Sequence, residues 1–356
     1  MGRNNGYPFA SFADGMTCLM NRVFAACCLL ALPFAAAAFD LQGHRGARGL
    51  APENTLPAFA RALSVGVDTL ELDTGVTRDG VVVVIHDPSL NPLIARGPDG
   101  KWLEKRGAAV HELTYEELAR YDVGRLKPDT GYSKRYPQQV AVDGTRVPKL
   151  AEVFALVKRA GNDKVRFNIE TKLAPMMPDE TLAPEPFARA VVDEIRKAGM
   201  ASRAAIQSFD WRTLQAVQKI APEIETVYLT AQQRYLDNVC TGVKAGSPAA
   251  APADCEPSPW TAGFQLREHG SIPKMVKAAG GKVWSPELRD IDAAKLKEAH
   301  DLGLRVVVWT VNEPAHVARL LELGVDGIIS DRPDLVREEM QKRGMPLPAP
   351  TPINGV

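Results

Sequence analysis

Residues 81–87 read Val-Val-Val-Val-Ile-His-Asp. Five consecutive β-branched apolar residues, ended abruptly by a polar pair, fit a strand buried on both faces. Working outward, short strand-like runs recur at 39–44, 67–73, 166–171, 204–208, 224–229, 282–285, 305–310 and 326–330. Helical patterns lie between them. In 55–65, Leu56, Phe59, Ala60 and Leu63 follow the i, i+3, i+4, i+7 rule behind Asn54, a residue able to cap. Pro314 opens another helix, Val317, Leu320 and Leu321 give it an apolar face, and Gly324 follows its end. This many alternating βα units predicts a parallel barrel rather than a doubly wound sheet. No Gly-x-Gly-x-x-Gly turn follows the first strand, which argues against a dinucleotide fold.

Two stretches break the rhythm, 87–165 and 230–265. Long inserts in barrels sit on loops, and on the catalytic face they build lids. The Pro-rich end, 344–356, is expected to lack fixed structure.

The 356 residues are 45% hydrophobic and 24% charged, a globular composition that excludes a disordered or collagen-like chain. Forty-three Lys and Arg balance forty-three Asp and Glu. Zero net charge offers no bulk attraction to nucleic acid or to an anionic membrane, so any bound anion must be caught locally. At the N-terminus, Arg22 precedes an apolar run from Val23 to Ala38 that closes on Ala36-Ala37-Ala38. This reads as a secretory signal over 1–38, with Met20 a candidate start, and it is short of the ~20 residues of a membrane span. Export leaves Cys240 and Cys255, a disulfide candidate in an oxidising compartment. The domain reading is therefore a signal at 1–38, a barrel over 39–343 with an insertion within 87–165, and a tail at 344–356.

Chemistry gathers where the strands end. The first ends in Gly43-His44-Arg45-Gly46, the second in Glu71-Leu72-Asp73, the run at 81–85 in His86-Asp87, and the strand after the insert in Glu170-Thr171-Lys172. Gln207, Trp309 and Asp331 stand at later strand ends. The C-terminal mouth of a parallel barrel is where such enzymes keep their site. Glu71 and Asp73, two apart on a strand, point to one face. A single strand-end acid is usually satisfied by an ordinary ion pair. Three together repel unless a hard cation neutralises them, and oxygen donors suit Ca²⁺ or Mg²⁺ better than zinc. His44 and His86 are the two histidines at strand ends, fit for a general acid and a general base. Arg45 is a natural phosphate fork and Lys172 a point charge for the same anion. Trp309 could wall the pocket. Asp331 reads as a helix cap, Gln207 as a packing amide or a site residue, and Glu53 as a partner for Arg45 or a charge at the helix N-terminus.

In order along the chain, Gly-His-Arg-Gly, Ala-Pro-Glu-Asn-Thr, Glu-Leu-Asp, Val-Ile-His-Asp, Asn-Ile-Glu-Thr-Lys, Val-Trp-Thr-Val-Asn and Ser-Asp-Arg-Pro resemble the glycerophosphodiester phosphodiesterases. The resemblance runs from about Leu41 to Arg337, and with the signal it is most similar to the periplasmic branch that uses Ca²⁺. It implies a TIM barrel with an insertion after the second βα unit. It implies His44 and His86 as the acid–base pair, Glu71, Asp73 and Glu170 as ligands of a divalent cation (Ca²⁺ preferred over Mg²⁺), and Arg45 and Lys172 as phosphate contacts. The implied partners are small glycerophosphodiesters such as glycerophosphocholine and glycerophosphoethanolamine, met in the periplasm or outside the cell without stable membrane insertion. A lipid phosphodiesterase of the phospholipase D or sphingomyelinase D kind is the rival reading, and would show an exposed apolar rim. A non-catalytic periplasmic binding protein is the second.

Overall fold

The βα alternation closes on itself. The computed structural model describes residues 39–241 and 254–353. In chain order its main elements are β1 (Asp40–Gly43), α1 (Leu56–Val65), β2 (Thr69–Val76), β3 (Val82–Val84), α2 (Leu150–Arg159), β4 (Arg166–Thr171), α3 (Pro184–Lys197), β5 (Ala204–Ser208), α4 (Trp211–Ile220), β6 (Glu225–Thr230), α5 (Ile272–Ala278), β7 (Val283–Pro286), α6 (Ala293–Asp301), β8 (Arg305–Val308), α7 (Pro314–Leu323), β9 (Gly327–Ser330) and α8 (Pro333–Lys342). All of these strands but β3 pair in parallel, in the order β1-β9-β8-β7-β6-β5-β4-β2, and Gln42↔Thr69 and Gly43↔Leu70 join the two ends. The result is a closed eight-stranded barrel with helices between the strands, a TIM barrel. The proposed signal at 1–38 lies outside the described residues.

The run at 81–85 is buried as expected but is not a barrel strand. β2 continues past its partner β4, turns, and β3 comes back antiparallel to it, with Thr74↔Val84 and Val76↔Val82 in register. Val82 and Val84 pack on the main core, while Val83 and Ile85 pack with Leu90, Val110, Leu118 and Val147. A strand with a core on each face is apolar throughout, whichever way it runs. The insertion follows: it leaves after the β2–β3 hairpin and returns to the barrel at α2. Within 230–265, Gln232–Gln233 pairs with Leu236–Asp237 and Cys240–Thr241 with Glu256–Pro257, and Cys240 and Cys255 form a disulfide.

The end of the chain departs from expectation. Met345, Leu347 and Ile353 pack on the core, Thr351 N donates to Leu63 O at 2.7 Å, and Asn162 Nδ2 donates to Thr351 Oγ1 at 2.9 Å. Apolar residues spaced among the prolines bind residues 344–353 to the barrel, so they are not a loose tail.

The loop after β1 is held flat against α1. Gly46 lies at φ +82°, its N–H donates to Glu71 O at 3.1 Å, and a Cβ there would stand 2.6 Å from the Ala58 carbonyl carbon. Gly46→Ala combines a left-handed backbone with a clash against backbone. It is expected to lower stability by about 2 kcal/mol or more, read as a lower denaturant midpoint at unchanged slope.

Candidate active site

Strand alternation aims Glu71 and Asp73 into the mouth, and the β2–β4 register sets Asp73 directly beside Glu170. One carboxylate oxygen from each of Glu71, Asp73 and Glu170 lies within 4.8 Å of the other two, and all three residues are buried. Glu71 is gripped from both sides: Arg45 N donates to Oε2 at 2.8 Å and Gln207 Nε2 to Oε1 at 2.7 Å. Asp73 Oδ2 accepts from Asn54 Nδ2 at 2.8 Å, and Lys172 Nζ donates to Glu170 Oε1 at 2.7 Å. Asp73 Oδ1 is buried with no hydrogen-bond partner.

The electrostatics follow from this crowding. Burial, then repulsion from Asp73 and Glu170, pushes Glu71 well above the carboxylate range. Burial, aided by Asp73 and opposed by Lys172, pushes Glu170 up to about 7. Burial would raise Asp73 too, but Arg45, His86 and Lys172 hold it below its usual range. Three buried acids and an unpartnered oxygen fit a hard divalent cation, which supplies the charge and the bonds the cluster lacks.

The two histidines flank these acids, each on an aspartate. His44 Nδ1 lies 2.6 Å from Asp331 Oδ1, and His86 Nδ1 lies 2.7 Å from Asp87 Oδ1. Such a bond places the Nδ1 proton toward the aspartate and turns Nε2 into the pocket. His44 Nε2 is 3.9 Å from Glu71 Oε2. Burial, then the charge of Arg48, pulls His44 down to about 4. Burial, then Arg45 and Lys172, lowers His86. His86 reaches the mouth only because β3 runs backwards, so that its C-terminal end drops beside β2.

Several residues do other work than their local sequence suggests. Asp331 is no helix cap, since the N-cap of α8 is Arg332. Asp331 instead takes His44, Arg48 Nε at 2.8 Å and Asn312 Nδ2 at 2.7 Å, and against burial Arg48 and His44 hold it below the usual carboxylate range. Asn54 does not cap α1; Thr55 does, and Asn54 turns to Asp73 instead. Gln207 is oriented from behind by Asn168 Nδ2, which donates to its Oε1 at 2.9 Å. Glu53 accepts from Arg45 Nη1 at 2.6 Å and from Tyr132 of the insertion. Arg48 carries no signal in the sequence: four residues after His44 it has the look of a surface arginine, yet Tyr132 and Tyr136 of the insertion cover it. Arg45, Lys172 and Trp309 all line the same pocket of about 540 Å³, with the Arg45 Nε 3.2 Å from Asp73 Oδ2. Trp309 donates from Nε1 to Ser285 O at 2.9 Å and meets the Phe209 ring edge-on at 5.3 Å.

Asp331→Asn keeps the shape but weakens the hold on His44. Turnover is expected to fall roughly 10²-fold with KM little changed. Equal turnover in the folded variant, checked by circular dichroism, contradicts a positioning role.

Residues 44–335 match the model of the glycerophosphoryl diester phosphodiesterase family. A glycerophosphodiester phosphodiesterase of Caldanaerobacter subterraneus subsp. tengcongensis is 27% identical over 305 residues, which cover 85% of this chain and 97% of the relative. The crystal structure of a Silicibacter pomeroyi DSS-3 protein assigned to the glycerophosphoryl diester phosphodiesterases is 34% identical, with a TM-score of 0.74 over 87% of this chain and 95% of that one. An Oleispira antarctica phosphodiesterase, solved with its product sn-glycerol-3-phosphate, shares the fold at 19% identity and a TM-score of 0.58, over 85% of this chain and 96% of that one. With the family model spanning the barrel from His44 onward, the chain belongs to the glycerophosphoryl diester phosphodiesterase family and is a phosphodiesterase.

Proposed function

We propose that the chain hydrolyses glycerophosphodiesters, among them glycerophosphocholine and glycerophosphoethanolamine, to sn-glycerol 3-phosphate and a free alcohol. The observation that carries this reading is the pairing of His44 with Asp331 and of His86 with Asp87 on either side of one buried acidic cluster. The product bound by the Oleispira protein is the product expected here.

Glu71, Asp73 and Glu170, an all-oxygen donor set suited to a hard divalent cation, would hold it, and the ion proposed is Ca²⁺ in preference to Mg²⁺. When bound it supplies positive charge opposite the non-bridging phosphate oxygens. Arg45 and Lys172 give up carboxylate contacts to meet the same anion. His44, neutral at neutral pH and the more buried of the two histidines, takes the proton from the attacking oxygen. Asp331 stabilises the imidazolium that forms. His86 stands at the more open edge, where a phosphodiester anion favours its protonated form, and it delivers a proton to the departing alcohol. The bond from phosphorus to the alcohol oxygen breaks as the new one forms.

The disulfide Cys240–Cys255 and the apolar stretch at 23–38 support action in the periplasm or outside the cell. The test is direct. Purified protein with Ca²⁺ is given glycerophosphocholine, and glycerol 3-phosphate is followed with a coupled dehydrogenase. Steady release supports the reading; none from either diester, with folded protein and cation present, overturns it.

A further inference from the structure

The barrel holds a second cavity, at the end opposite the catalytic mouth. It occupies about 340 Å³ at the N-terminal ends of the strands, within the roughly 300–1,000 Å³ of small-ligand pockets. One apolar layer divides the two. Val227, Val283 and Val307 line the lower cavity, Ile329 and Trp309 line the catalytic pocket, and the five pack together. Barrel interiors are ordinarily filled by branched apolar side chains, yet this end is lined by Asp40, Arg166, Glu225 and Arg305. The acids are already matched. Arg166 lies 2.9 Å from Asp40, Arg196 lies 2.7 Å from Glu223, and Arg305 pairs with Glu225. Two lining cations are left over. Arg203 donates to the Val165 and Asn162 carbonyls at 2.9 and 3.1 Å, and neither it nor Lys282 has a carboxylate within 4.0 Å among the described residues. Arg203 precedes β5 and Lys282 precedes β7, the two neighbours of β6, so their charge falls on one side of the cavity. Asp40 stands across the barrel on β1.

The same cavity lacks a donor. Gln207 Nε2 is spent on Glu71, which leaves its Oε1 as the acceptor for Asn168 Nδ2 at 2.9 Å. Asn168 Nδ2 also donates to Gln42 Oε1 at 2.9 Å, so both amide protons are committed. Its Oδ1 is buried without a hydrogen-bond partner, on a residue that lines the cavity and is 2% exposed. A buried acceptor of this kind is costly unless a donor reaches it.

We infer that the lower cavity is a second ligand site, for a small phosphorylated polyol whose phosphate meets Arg203 and Lys282 and whose hydroxyl donates to Asn168 Oδ1. A phosphate monoester carries close to two negative charges at neutral pH, which answers two unmatched cations on one side. A dicarboxylate fits less well, since its second charge is driven toward Asp40. sn-Glycerol 3-phosphate, the product of the reaction proposed above, is of this class, but the site does not depend on that reaction.

The experiment is a calorimetric titration of the full chain with sn-glycerol 3-phosphate, Ca²⁺ present. The expected result is uptake at a site that Lys282→Glu, at an exposed position, weakens by about tenfold or more. Any uptake at the catalytic mouth should be lost in Lys172→Gln, a change that the lower site survives. Propyl phosphate keeps the charge and lacks the hydroxyls, so it should bind the lower site about fivefold more weakly. Uptake that Lys282→Glu leaves untouched, with the variant folded by circular dichroism, overturns the inference. Propyl phosphate or malate bound as tightly as the probe overturns the ligand class. Binding is read without turnover, so a chain that cleaves no diester would defeat the reading above and leave this result standing.

Discussion

Replacing His44 or His86 with Ala should lower glycerophosphocholine turnover at least about 10²-fold while leaving the fold in place, the usual worth of a positioned acid or base. The neighbours explain why the fold survives. Without His44, Asp331 is still held by Arg48 and Asn312, so no buried charge is stranded. Without His86, Asp87 keeps Asn91 Nδ2 at 2.6 Å. The two imidazoles act in one proton-transfer sequence, so the double variant should fall little further than the worse single one. Multiplicative losses, or near-normal rates in folded single variants, refute the paired role.

Removing the divalent cation should have an effect of similar size, and it carries its own pH signature. Dialysis against a chelator is expected to abolish turnover, with Ca²⁺ restoring it more fully than Mg²⁺. Restoration by Mg²⁺ alone would reverse the assignment of the ion. The second readout does not need activity. Burial and mutual repulsion raise Glu71 and bring Glu170 to about 7. A carboxyl whose folded pKa is raised favours the folded state while protonated, so that stability is present below the unfolded value near 4.3 and lost as pH rises through about 7. Cation-free protein should therefore lose thermal stability between pH 5 and pH 8. Ca²⁺ binds the ionised cluster of the folded state and competes with those protons. The Ca²⁺-induced rise in melting temperature should accordingly be larger at pH 8 than at pH 5. A shift that does not grow with pH, or no shift at all, removes the cation from this cluster.

Much of the site is readable in the sequence because strand geometry is local. Two residues apart on a strand means one face, which makes Glu71 and Asp73 a pair from their spacing alone. Glu170-Thr171-Lys172 at the end of its own strand offers the third acid and its cation in the same way. Cys240 and Cys255 are legible as the pair left beyond the apolar N-terminal run, and the fold joins them. The helices and barrel strands are legible through their periodicities, although one of the nine strand-like runs, 81–85, is not a barrel strand.

What the sequence hides is direction and long-range partnership. An all-apolar run such as 81–85 looks the same whether it runs parallel or antiparallel, because burial on both faces depends on what lies above and below it. The closed register also decides which distant groups meet: Asp331 reaches His44 across 287 positions of chain and Gln207 reaches Glu71 across 136. An aspartate before Arg-Pro has the local look of a cap, and nothing near it in the chain mentions a histidine. By itself, then, the sequence determined the barrel, the mouth, and the histidines and acids placed there, since these rest on periodicities within a few residues. Only the tertiary structure decided how those groups are aimed and gripped, and which apolar side chains share their pocket, since hydrogen-bond partners and exposure are set by segments brought together when the sheet closes.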